Sequence, residues 1–135
     1  MSSTHFLQSL LRRSAGPHVL WNTRTNLPVA TQLQGAFDSA TRRKGLLGRD
    51  GLGSGVALVI APTNLVHTFA MRFPIDILFV SRDGRVLKVR HAVPKRRIAG
   101  AWGGFAVVEL AAGALEGSQT RSGDQLELRE HPGPF

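Results

Sequence analysis

The stretch Val66 to Val80, VHTFAMRFPIDILFV, constrains the fold more than any other part of the chain. Phe69, Met71, Phe73, Ile75, Ile77, Leu78 and Phe79 favour burying it, yet His67, Thr68, Arg72 and Asp76 interrupt them. A charge taken into low dielectric without a partner is costly. The segment must therefore fold so that Arg72 and Asp76 find compensating groups, and function is expected close to them.

The rest of the chain reads as short strands. HVLWN (18–22) and VATQL (29–33) precede a helix over 40–47, capped by Asp38-Ser39 and ended at Gly48. Residues 56–61 form an apolar strand, and 66–71 another on which His67, Phe69 and Met71 share a face. After the bend at Phe73-Pro74, strands over 75–81 and 85–90 flank Asp83-Gly84, a tight-hairpin signal. Strands over 105–110 and 125–129 complete the set, and 91–104 has no clear period. Seven or eight short strands with one short helix predict a mainly β (α+β) fold, a compact antiparallel β-sandwich or barrel. One β-rich domain over 18–130 is expected, with 1–17 as a disordered or basic amphipathic arm and 131–135 as a tail.

The 135 residues include no cysteine, which excludes disulfides, thiolate metal sites and cysteine nucleophiles. Seventeen basic side chains against nine acidic ones give a net charge of +8, which attracts polyanions. The longest apolar run, 56–61, is far short of the roughly 20 residues of a membrane helix. The N-terminal arginines follow their apolar patch instead of preceding it, so a cytoplasmic protein is expected. The glycine-rich 49–55 lacks the residues of a phosphate-binding loop, the five histidines have no ligand spacing, and no serine sits in a nucleophile elbow. No metal or cofactor is expected.

Chemistry could reside in three groups. Asp76 and Glu109 are carboxylates inside apolar strands, suited to acid/base work if they face one cleft, with His67 as a further base. Each could instead pin strand geometry. Arg42, Arg43, Lys44 and Arg49 form one cationic cluster and Lys95, Arg96 and Arg97 another, the second beside Trp102, a pattern that contacts phosphates and stacks rings.

Three segments together resemble a family of small bacterial and archaeal proteins, domain of unknown function 192, over about 27–128. RRKGLLGR (42–49) resembles its R-x-x-G-L-M-x-R helix end. HTFAMRFPID (67–76), continued by ILFVSRDGRVL, is similar to its central signature. VELAAG (108–113) with Gly123-Asp124 looks like its closing element. The resemblance implies a compact, mainly β fold with one short helix. It implies no established activity and no catalytic residues. Ala70 departs from the family, where a bulkier aromatic or a glycine is common, and the N-terminus does not resemble the export segments of many members.

The leading expectation is a non-enzymatic binding module. Its pocket would gather His67, Arg72, Asp76, Trp102 and Glu109 around a small polar or anionic ligand or a partner segment. The alternatives are a hydrolase using Asp76 and Glu109 on a saccharide-like substrate, and nucleic-acid association through the two cationic clusters.

Overall fold

The computed structural model describes residues 5–8, 18–69 and 71–130; Ala70, the tail and the rest of the N-terminal arm lie outside them. The fold is mainly β, with ten strands and two short helices among the described residues. The strands are β1 (His18–Asn22), β2 (Leu27–Ala30), β3 (Gln32–Ala36), β4 (Val56–Ile60), β5 (Leu65–His67), β6 (Ile75–Val80), β7 (Val86–Val93), β8 (Ile98–Gly100), β9 (Ala106–Ala111) and β10 (Leu126–Glu130). The helices are α1 (Ser39–Lys44) and α2 (Ala114–Gly117).

A central five-stranded sheet has the order β3-β4-β9-β6-β7. The unbroken apolar runs of β4, β9 and β6 occupy its middle, where both faces are buried and no in/out alternation is needed. One face, through Val59, Leu78, Val108 and Leu110, packs against the second sheet, β10-β1-β2, and against Leu115 of α2. The other face, through Leu58, Ile60, Ile77 and Phe79, lies under Leu46, Met71 and the two-stranded ribbon β5-β8.

Several expected boundaries shift. The single strand expected over 29–33 is two, in different sheets, parting at Thr31, and β3 runs parallel to β4 instead of antiparallel. The helix ends at Gly45 (φ 49°), three residues before Gly48, because only glycine takes that backbone angle cheaply. The strand expected over 66–71 stops at His67, so Phe69 and Met71 part company, one exposed and one buried. Leu7 of the expected arm is buried in the first core, and the Phe6 N–H donates to the Arg82 carbonyl at 2.9 Å.

Two buried aspartates fix the connections. Asp76 Oδ1 accepts the Ala92 N–H at 2.8 Å, and Oδ2 accepts those of Gly113 and Leu115, both at 3.0 Å. It thereby joins the bulged end of β7 to the start of α2. Asp124 accepts Arg24 Nε at 2.5 Å, Asn22 Nδ2 at 2.8 Å and the Arg121 N–H at 2.9 Å. Burial pushes its carboxyl up, but these hydrogen bonds outweigh burial and hold it at about 2.

Asp76→Ala would take the acceptor from the buried Leu115 N–H and from the part-buried N–H groups of Ala92 and Gly113, and cost roughly 2–4 kcal/mol, read as a lower urea midpoint. A loss under 1 kcal/mol would show that the triad of bonds is dispensable. Asp124 titrates lower in the folded chain than in the unfolded one, so its contribution is present above pH 4 and vanishes as pH falls toward 2. Wild type should lose roughly 2 kcal/mol over that window by this route, and Asp124→Asn should lack that part of the acid limb in urea titrations.

Candidate functional site

The register of β9 decides what its one polar residue does. Glu109 lies opposite Leu58 of β4 and Ile77 of β6, so its side chain joins theirs on the face beneath Leu46 and the ribbon. It is 3% exposed, and no described residue gives its carboxyl a hydrogen bond or an ion pair. Burial pushes the carboxyl up to about 7, against a smaller opposing pull from the Arg49 guanidinium. Asp76, by contrast, is fully buried with both oxygens satisfied.

Above Glu109 is a pocket of about 260 Å³ between the sheet, the end of α1 and β5. Arg43, Lys44, Gly45, His67 and Met71 are among its walls. Glu109 Oε1 is 3.7 Å from where a Cβ on Gly45 would stand, so the glycine keeps the helix end close to the carboxyl. The position of the cations follows from α1: Asp38 caps it by accepting the Thr41 N–H at 2.8 Å, which places all three basic residues in the last turn. Arg42 also lines the pocket, with Nη1 donating to the Phe37 carbonyl at 2.7 Å, while Arg43 and Lys44 are exposed. A carboxyl titrating near neutrality under a cationic rim can accept or donate a hydrogen bond to a bound polar molecule.

The structure brings only part of the expected set together. His67 and Glu109 share this pocket with Arg42, Arg43 and Lys44. Arg72 does not join them; its Nη1 reaches the exposed Asp50 at 2.7 Å. Asp76 points to the opposite face of the sheet, because its neighbour Ile77 is the residue that pairs with Glu109. The two carboxylates therefore do not face one cleft, and the paired acid/base arrangement is not built. Trp102 projects into solvent away from Glu109, beside Leu65 and Lys88. Arg49 Nη1 donates to Gln34 Oε1 at 2.8 Å.

Lys95, Arg96 and Arg97 sit on a turn fastened to β5 by the buried Thr68. Its hydroxyl donates to the Pro94 carbonyl at 2.6 Å, and its backbone N–H to the Arg97 carbonyl at 2.8 Å. All three cations are exposed. Sequence reasoning missed the uncharged walls of the pocket, Gly45 and Met71 among them; Gly45 inside a helical pattern was the only signal for either of these two. A separate concavity of about 630 Å³ is lined by neutral residues around Leu27, Ser54, Gly55, Gly113 and Ser118 and brings no ionisable group together.

Comparison with known proteins agrees with the geometry in giving a fold without an activity. A crystal structure of a protein of unknown function from Novosphingobium aromaticivorans DSM 12444 superposes with a TM-score of 0.71 at 24% identity, covering 82% of this chain and 83% of that one. A Sinorhizobium meliloti 1021 protein, described as a "putative transcription regulator", gives 0.72 at 19% identity, covering 84% and 95%. At these identities the likeness is one of fold. No curated protein matches the chain. The model of the DUF192 family, described as "Uncharacterized ACR", matches residues 19–128, and the chain belongs to that family.

Proposed function

We propose that this protein is a binding module whose ligand sits in the pocket over Glu109. The observation that carries the proposal is the carboxyl of a residue only 3% exposed, with no hydrogen bond or ion pair from any described residue, facing a hollow whose rim is cationic. Buried polar groups are nearly always hydrogen-bonded, and one left without a partner calls for an explanation. A ligand supplying an amine or hydroxyl to Glu109 and a negative group to Arg43 and Lys44 would satisfy both ends. At about 260 Å³ the pocket is below the usual range for drug-sized molecules, so a small metabolite fits best. A carboxyl near 7 is also a cost to the fold, of the kind tolerated at functional positions.

That cost has a measurable sign. The folded chain holds the Glu109 proton up to about pH 7, whereas the unfolded chain releases it near 4.5. Stability from this group therefore falls as pH rises from about 4.5 to 7, by roughly 3 kcal/mol, and stays low above it. Glu109→Gln should lack this decline, so it gains on wild type from pH 4 to pH 8 in urea unfolding. Parallel curves for the two proteins would show that the carboxyl is not strained. Binding is tested by thermal shift and calorimetry with a panel of amino acids, hydroxy acids and sugar phosphates. A ligand should emerge whose affinity drops tenfold or more in Glu109→Gln and in the Arg43→Ala/Lys44→Ala double variant. A panel with no binder, or a binder indifferent to Glu109→Gln, overturns the proposal.

A further inference from the structure

Among the described residues, the exposed large hydrophobic side chains are gathered in one place: Leu65 at 59%, Phe69 at 45%, Ile98 at 63% and Trp102 at 98%. The register of the ribbon explains the gathering. Val66 pairs with Ala99, and both turn inward to the second core. Leu65, His67 and Ile98 consequently share the outward face, His67 directly opposite Ile98. Phe69 extends the stripe by packing its ring 5.6 Å from that of His67. At the other end Trp102 stands on a tight turn, closed by Gly104 donating to the Ala101 carbonyl at 3.1 Å and requiring positive φ at Gly103. Its indole lies beside Leu65 in a shared shallow groove.

The charge around this stripe has one sign. From Gly84 to Val108 the chain carries six basic residues and no acidic one. Lys95, Arg96 and Arg97 are held next to His67 by Thr68, and Lys88 lies at the Trp102 end, its Nζ donating to the Gly100 carbonyl at 3.0 Å. No described helix is long and apolar enough to cross a membrane.

We propose that the outward face of the β5-β8 ribbon docks on an anionic lipid surface, with Trp102, Leu65 and Ile98 entering the interfacial layer and Lys95–Arg97 meeting the headgroups. Exposed aliphatic side chains flanked by cations match the amphipathic boundary of a bilayer, and tryptophan is the residue type that favours it. A nucleic acid would match the charge and would find ring faces in Trp102 and Phe69, but the exposed aliphatic side chains of Leu65 and Ile98 suit a lipid boundary and give a base nothing to stack on.

The test is cosedimentation of the full-length protein with vesicles of phosphatidylcholine alone and with added phosphatidylserine, alongside binding to a single-stranded oligonucleotide. Binding should appear on the anionic vesicles and weaken steeply with salt. Trp102→Ser/Ile98→Ser should abolish it, and Lys95→Ala/Arg96→Ala/Arg97→Ala should weaken it about a hundredfold, at roughly fivefold per cation. All five positions are exposed, and circular dichroism checks that the variants fold. In a Trp21→Phe background Trp102 is the sole tryptophan, and its emission should shift to the blue on anionic vesicles. The proposal falls if anionic vesicles bind no protein at low salt, if Trp102→Ser/Ile98→Ser binds as wild type does, or if the oligonucleotide binds and vesicles do not.

Discussion

Three backbone N–H groups converge on the Asp76 carboxylate, and the arrangement of the remaining strands depends on that convergence. Ala92 brings the irregular end of β7, and Gly113 and Leu115 bring the exit of β9 and the first turn of α2. Without an acceptor at this point, the buried Leu115 N–H would have no partner, and the part-buried N–H groups of Ala92 and Gly113 would no longer be tied to β6. α2 has only four residues and no side-chain cap of its own. A helix that short does not hold itself together. It forms because Asp76 receives its N–H groups and because Leu115 is fully buried in the first core.

Glu109 lies on a strand adjacent to that of Asp76 and has the opposite fate. Both are carboxylates inserted in buried strands, one residue apart in register. Asp76 meets a loop of backbone donors on its face. Glu109 meets apolar neighbours on the sheet and a cation-rimmed hollow under the end of α1. Charge alone does not resolve this, since the cations of α1 and Arg49 come near Glu109 without a hydrogen bond or ion pair to it. A fold that can satisfy a buried aspartate with three bonds shows that the means of satisfying a carboxylate were at hand. The difference between the two lies in the face each takes: Asp76 turns to backbone donors, Glu109 to the pocket beneath the end of α1.

Much of the fold was legible where the chain is locally emphatic. The apolar runs of β4, β6 and β9 and the Asp83-Gly84 turn announce themselves within a few residues. What was not legible depends on distant partners. Thr31 and Gln32 both donate to the Gly55 carbonyl, and there the chain passes from one sheet to the other. Ile98–Gly100 is a strand only because β5 lies beside it. The segment 114–117 is a helix only through a carboxylate about 40 residues earlier. For the site, the burial of Asp76 and Glu109 was readable from their neighbours, but the faces they take follow from the Ile77–Glu109 pairing, which no local pattern contains. Arg72 misled for a related reason: the residues after Phe73 are core, but its own position is on the surface beside Asp50.

The ribbon is the place where the usual economy of a surface strand fails. At the outer positions of β10, Glu127 and Arg129 pair with each other, and Arg129 also covers the ring of Trp21 at 4.4 Å. β3 turns Gln32 and Gln34 to solvent. Those strands follow one rule, apolar inward and polar outward. β5 and β8 are already apolar on the inward side, where Val66 and Ala99 cover the second core, so the fold asks nothing apolar of the outer side. Leu65 and Ile98 stand there nonetheless, and Trp102 makes almost no contact that could stabilise the folded chain. The cluster is one that the fold does not need, and the exposed charges of the adjoining 84–108 segment are all basic, which is the combination a surface contact with something outside the chain would use.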